Sequence, residues 1–316
     1  MKINKDIANL ENSETIAEIP LACCDELAAV EFLEKRLWKG EPVCHHCESL
    51  NVYQMKDASG QRNKRFLWRC HDCKGQFTVR LGTVFEESRI PLRHWCYAFW
   101  RASTSKKGVS ALEIKRHTQL SYKSALFLMH RIRFAMTQNP SEGEKMTGTV
   151  EVDETYVGGK PRAGTGYHKR GRGTSKTPVL GIVQRDGNIH RRVVANVSAK
   201  TLKSAIREVV DKQARIITDE HFGYRGIGKE FAGGHHTVNH GTREYARGDI
   251  FTNTAESSFA LIKRGLMGVY HAVSKEHLHR YLGEFDFRWN TRKLNDGQRT
   301  TLAIESALGK RLIMQP

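Results

Sequence analysis

Four cysteines in two close pairs, Cys44-His-His-Cys47 and Cys70-His-Asp-Cys73, constrain this chain more than any other feature. Each C-x-x-C turn can aim two thiolates at one metal ion, and two such turns complete the tetrahedral sulfur shell that zinc prefers. Residues 38–90 are therefore expected to form a zinc ribbon, with two short strands, NVYQM and FLWRC, between the pairs. The alternative is four ordinary buried cysteines. His45, His46 and His71 lie beside the ligands as bystanders, since four thiolates already fill the shell. Cys23, Cys24 and Cys96 have no partner pattern and are expected to be structural. An odd count of seven cysteines with this spacing suits a metal site better than a disulfide framework, which points to a reducing cytoplasm. No apolar run is long enough for a membrane span, and the N-terminus has no basic-then-apolar signal pattern.

Charge names the partner. Lys and Arg number 51 against 34 Asp and Glu, a net charge of +17 over 316 residues. The first 34 residues run against this trend, with two lysines against eight acids, which leaves +23 on the rest. A polyanion such as DNA fits that excess. Residues 1–37 are an acidic segment with a short amphipathic helix, DELAAVEFLEKRL, whose Leu27, Val30, Leu33 and Leu37 share a face. Residues 91–140 are helical. PLRHWCYAFWRAST carries aromatics at core spacing, and GVSALEIKRHTQLSYKSALFLMHRIRFAM makes two helices capped by Ser110 and Ser121 around a tight turn at Thr118 to Leu120. A helix-turn-helix lays its second helix in the major groove, and Lys123, Arg131 and Arg133 are its candidate DNA contacts. A helical hairpin with a solvated basic face is the competing reading.

From Thr149 the periodicity changes to strands: TVEVDETYVGG, TPVLGIVQRDG and NIHRRVVANV, then a helix TLKSAIREVVDKQ, a buried strand ARIITDE and a fifth strand HHTVNH. Alternation along VEVDETYV puts Glu151, Asp153 and Thr155 on one face and Val152, Glu154 and Tyr156 on the other. Asp219 ends ARIITDE, where an α/β sheet presents functional groups. Glu256 opens the helix NTAESSFALIKRGL, and Lys263, about 700° of helical turn later, lies on almost the same face. Each acid has a plainer alternative: a solvated strand edge for Asp153 and Glu154, a helix cap for Asp219, a capping box of Asn253 with Glu256. The element order is nonetheless that of a ribonuclease-H-like mixed sheet flanked by helices, which would bring Asp153, Asp219 and Glu256 together over residues 147–316. Clustered oxygen ligands suit Mg²⁺ or Mn²⁺. The segment GGKPRAGTGYHKRGRGTSK holds Lys160, Arg162, Lys169, Arg170, Arg172 and Lys176 with no acid between them. Such a loop can follow a DNA backbone, and a disordered solubilising insert is its alternative.

On these residues the chain resembles the zinc-ribbon DDE transposases of bacterial insertion sequences. The resemblance runs from about Asp25 to Arg292. It is carried by CHHC, CHDCKGQFTVRLGTVF, VEVDETYVGG, IITDE and TNTAESSFALIKRGLMGVYHAVSKEHLHRYLGEFDFRWNTR. Between the acids 65 and 36 residues intervene, and the shorter gap is typical of DDE enzymes. Some related enzymes carry Asn as the third residue, so Asn253 stands beside Glu256, which is favoured because Lys263 follows at the expected spacing. The resemblance implies a cytoplasmic, nucleoid-associated DNA transposase that forms a homo-oligomer on DNA, with terminal inverted repeats and target DNA as partners. It implies structural zinc and catalytic Mg²⁺ or Mn²⁺. Asp153, Asp219 and Glu256 would bind the catalytic ions while Lys263 contacts a phosphate. A catalytically decayed DNA-binding regulator and a structure-selective nuclease on the same fold remain the other two readings.

Overall fold

The computed structural model describes residues 12–139, 143–159, 176–239, 241, 244 and 246–312. They fall into two compact units, the described residues of 12–136 with 294–312, and those of 137–293. The C-terminal segment was expected to continue the sheet domain. It packs instead with the N-terminal helices. The Thr15 hydroxyl meets that of Thr301 at 3.0 Å, the Ser103 hydroxyl meets that of Thr300 at 2.9 Å, and Leu308 pairs with Thr83.

The first unit opens with helix α1 (Asn12–Cys24), which sequence periodicity missed, and α2 (Glu26–Trp38). Asp25 caps α2 by accepting the Ala28 N–H at 2.8 Å, as a β-region N-cap acid should. Leu27 does not share the buried face expected of it: it is exposed, while Ala29, Val30, Phe32, Leu33 and Leu37 are buried. Helical spacing centres the buried arc near Leu33, and Leu27, about 120° away at 100° per residue, lies at its margin. Strands β1 (Val52–Gln54), β2 (Trp68–Cys70) and β3 (Gln76–Phe77) make a small antiparallel sheet in that order. Helix α3 (Leu92–Thr104) begins after Pro91, which has no side chain to cap it. The Glu26 carboxylate does so from a distance, accepting the N–H groups of Leu92 and Arg93 at 2.7 and 3.1 Å. Trp95 and Phe99 of α3 are wholly buried with Phe85, so these aromatics are core. Helices α4 (Ala111–Thr118) and α5 (Tyr122–Met136) follow, capped by Ser110 and Ser121 as read from the sequence. Gln119 takes the left-handed conformation that ends α4. Helix α9 (Asp296–Glu305) closes this unit with a capping box of Asn295 and Gln298.

The second unit is a five-stranded mixed sheet in the order β6-β5-β4-β7-β8. Its strands are β4 (Thr149–Val157), β5 (Thr177–Gln184), β6 (Ile189–Val193), β7 (Arg215–Asp219) and β8 (His235–Val238). The first three are antiparallel neighbours; β7 runs parallel to β4 and β8 parallel to β7. This is the arrangement expected of a ribonuclease-H-like fold. Period-2 alternation splits the apolar side chains between two faces. Val150, Val152, Leu180 and Ile182 pack on one face against α6 (Ala199–Val209) and Tyr224. On the other face Val157 and Val179 meet Phe259 and Ile262 of α7 (Asn253–Gly265), and Leu282 and Phe285 of α8 (Leu278–Asn290). Gly181 permits that approach: a Cβ there would lie 2.7 Å from the Phe259 ring, and Gly181 is the cross-strand partner of Asp153. Among the described residues no helix is long and apolar enough to cross a membrane.

Candidate functional site

Parallel pairing of β4 with β7 sets Val150 beside Ile216 and Glu151 beside Ile217. The same offset carried two residues on sets Asp153, in the middle of β4, beside Asp219, the last residue of β7. The carboxylates of Asp153, Glu154 and Asp219 each offer an oxygen, all lying within 4.8 Å of one another. Alternation had placed Glu154 on the opposite face from Asp153. Its longer side chain brings its carboxylate back to the end of β7, where the Tyr224 hydroxyl donates to Glu154 Oε2 at 2.6 Å. Tyr224 is fully buried, and burial with the neighbouring Glu154 charge raises its pKa well above the usual phenol value, so the hydroxyl keeps the proton it donates. Asp219 Oδ1 accepts the His221 N–H at 3.0 Å. Gly223 is required at this turn, because a Cβ would come within 2.7 Å of the His221 ring.

Burial is the largest influence on Asp153, followed by repulsion from Glu154, Asp219 and, more weakly, Glu256; together they push its carboxyl up to about 8, against one stabilising N–H from Glu154. Carboxylates held this close resist ionisation together unless a cation joins them. The donor set is all oxygen and partly buried, which fits a hard divalent cation. Glu256 lies exposed in the first turn of α7, outside the close trio yet near enough to act on Asp153 electrostatically. Asn253 is the first residue of α7 and is exposed. The capping box read for Asn253 and Glu256 does not form: the N-cap is Thr252, which makes no side-chain cap. Lys263 is exposed on the same helix.

The four ribbon cysteines converge as their spacing requires. Their sulfurs lie within 4.8 Å of one another, Cys44 to Cys73 at 3.5 Å and Cys47 to Cys70 at 3.7 Å. Four thiolates about 2.3 Å from one zinc ion would sit roughly 3.8 Å apart. The Asp72 and Gly75 amides donate to Cys70 and Cys73 at 3.4 Å each, and Trp38, Trp68 and Phe77 cover the inner side. The cluster fits structural zinc.

Two candidate DNA contacts are corrected. Arg131 and Arg133 are 5% and 1% exposed. The Arg131 guanidinium stacks on Phe127 and donates to the carbonyls of Val84 and Glu86 at 2.7 and 2.6 Å. A side chain long enough to reach a phosphate is also long enough to close a turn of its own chain. Lys123 is exposed, as are Tyr122, Lys115 and Arg116 around the same turn. Lys176 is half-buried and packs against Gly158. Lys160, Arg162, Lys169, Arg170 and Arg172 lie outside the described residues.

Residues 145–290 match the ISXO2-like transposase domain, and residues 24–76 match the transposase zinc-ribbon domain. A protein of Halobacterium salinarum described as an uncharacterized protein in transposable element ISH50 is 30% identical over 301 residues, covering 90% of this chain and 97% of that protein. The chain belongs to the ISXO2-like transposase family. Both matched regions agree with the site described above: the transposase domain spans the acids and the sheet that carries them, and the ribbon match spans all four cysteines. DNA is the partner that a transposase implies. The sequence offers Glu154 only as a strand-edge acid beside Asp153, and gives no sign of Tyr224. The signal for Glu154 was present in the DE pair itself, two adjacent acids inside an apolar strand.

Proposed function

We propose that this transposase binds the ends of its insertion sequence and catalyses divalent-metal-dependent strand cleavage and strand transfer. The observation that carries the proposal is the convergence of Asp153, in the middle of β4, and Asp219, at the end of the parallel neighbour β7, with Asp153 pushed up to about 8 by burial and then by its acidic neighbours. Asp153, Asp219 and Glu256 would hold Mg²⁺ or Mn²⁺. Bound there, two such ions supply activation of the attacking oxygen and stabilisation of the leaving one during in-line displacement at phosphorus. The chain's own residues bind and orient. Tyr224 fixes Glu154, the His221 amide fixes Asp219, and Lys263 offers a charge to a phosphate near the reacting end.

Recognition of the element ends is assigned to the helix-turn-helix. The exposed start of α5, at Tyr122 and Lys123, would reach base edges as a recognition helix does, and the exposed Lys115 and Arg116 would meet backbone phosphates. The basic segment 160–176 would add sequence-independent affinity. Zinc holds the ribbon, and a homo-oligomer would pair two element ends.

Incubating the zinc-loaded protein with Mg²⁺ and end-labelled duplexes bearing the element's terminal repeats tests this. Nicked ends and joined products are expected. Cleavage of unrelated branched DNA without joining would favour a structure-selective nuclease, and end binding without any cleavage would favour a regulator.

A further inference from the structure

Glu151 is fully buried, is ion-paired with Arg185, and lies on the same face of β4 as Asp153. Four donors meet it. The N–H groups of Thr254 and Ala255 reach Oε2 at 2.9 and 3.0 Å, while the Thr254 hydroxyl and Arg185 Nε reach Oε1 at 2.9 and 2.7 Å. Arg185 donates onward to the carbonyls of Asp249 and Phe251 at 2.7 and 3.0 Å and lies 3.8 Å over the Phe251 ring.

A helix leaves its first N–H groups without intrahelical partners, and a cap from its own chain or from water normally satisfies them. Thr252, the N-cap of α7, contributes no side chain to that task. The cap comes from a neighbouring strand instead, as a carboxylate at the positive end of the helix dipole. This arrangement ties the first turn of α7 to β4, and the residue that follows Ala255 is Glu256. Arg185 neutralises the buried charge and clamps the segment that leads into the helix.

We propose that Glu151, backed by Arg185, is a positioning residue that fixes the first turn of α7 and with it the place of Glu256 relative to Asp153. This rests on Glu256 being the third metal-binding acid. A purely structural role would stabilise the sheet without altering cation affinity; a positioning role must act through Glu256.

Mn²⁺ titration of the full-length zinc-loaded protein, with free Mn²⁺ followed by electron paramagnetic resonance, separates the two. Glu151→Gln keeps a carbonyl acceptor for the helix amides but loses the charge, and is expected to weaken Mn²⁺ binding by about 10- to 100-fold, the usual range for a group that orients a ligand. Glu256→Gln should weaken it at least as much, and the double variant should bind no more weakly than Glu256→Gln alone, since the two act through one group. Arg185→Lys, which keeps the charge but not the fork to Asp249 and Phe251, should weaken binding in the same direction, and it serves where Glu151→Gln does not fold. Folded Glu151→Gln or Arg185→Lys proteins with wild-type Mn²⁺ affinity, or losses that multiply in the double variant, would overturn the positioning role while leaving the acid site standing. Wild-type affinity in Glu256→Gln would instead remove the third acid, and the positioning role with it.

Discussion

Asp153 on β4 stands beside Asp219 on β7, two residues beyond the last paired position, Glu151 with Ile217, of two parallel strands. The pairing makes the separation of the two carboxylates a property of the sheet rather than of loops, which is how a site keeps its geometry through turnover.

Asp153 should set a pH-dependent cost on the cation-free fold. Its pKa is raised from 3.8 to about 8, so the folded state holds a proton that the unfolded chain releases. Stability from this group is full below about pH 4 and falls as the pH rises towards 8. In buffer without Mg²⁺ or Mn²⁺, Asp153→Asn should melt above the wild type, by a margin that grows from pH 5 to 8. Adding Mn²⁺ at pH 8 should raise the wild-type melting point and leave that of Asp153→Asn nearly unchanged. A margin that is constant with pH would contradict the assignment.

Glu256→Gln should fold and bind element ends normally, and should lose Mg²⁺-dependent cleavage and joining by at least 100-fold. Asn253→Ala should retain activity, because Asn253 is not the N-cap of α7 and carries no charge, whereas the Glu256 carboxylate acts on Asp153. The reverse pattern in the same end-cleavage assay would make Asn253 the third residue.

Lys123→Ala and Arg131→Ala should separate cleanly. Lys123 is exposed, so its loss should weaken DNA binding without moving the unfolding midpoint. Arg131 donates to two carbonyls from a buried site, so its loss should destabilise the first unit by about 1–3 kcal/mol. Denaturant unfolding and a DNA titration on the same preparations check both.

Most of the strand order and the two strand acids could be read from alternation and turn residues, because each strand is short and bounded. The ribbon could be read because four thiolates at that spacing have few other uses. Burial of Arg131 and Arg133 could not, since charge on a helix face says nothing of a carbonyl 45 or more residues away. Helix α1 contains Pro20 and a weakly patterned sequence, so its stability comes from packing that no local window reveals. Return of residues 294–312 to the N-terminal unit depends on contacts such as Thr15 with Thr301, which no periodicity encodes.

Zinc removal should open the ribbon and spare the sheet. One zinc ion per chain is expected in purified protein. Cys70→Ser should lose it and become cleavable by protease within residues 41–78, while fragments from the strands and helices of the sheet unit persist. Retained protection of the ribbon without zinc would contradict a metal-held fold.

The most direct test of the central claim, that Asp219 binds a catalytic cation, is a change of cation preference. Asp219→Cys replaces a hard oxygen ligand with a softer sulfur, which Mg²⁺ accepts poorly and Mn²⁺ accepts better. End cleavage by the folded Asp219→Cys protein should be lost in Mg²⁺ and recovered at least in part in Mn²⁺, while Asp219→Ala stays inactive in both. Cleavage by Asp219→Cys at the wild-type rate in Mg²⁺, or equal recovery of Asp219→Ala in Mn²⁺, would contradict the account.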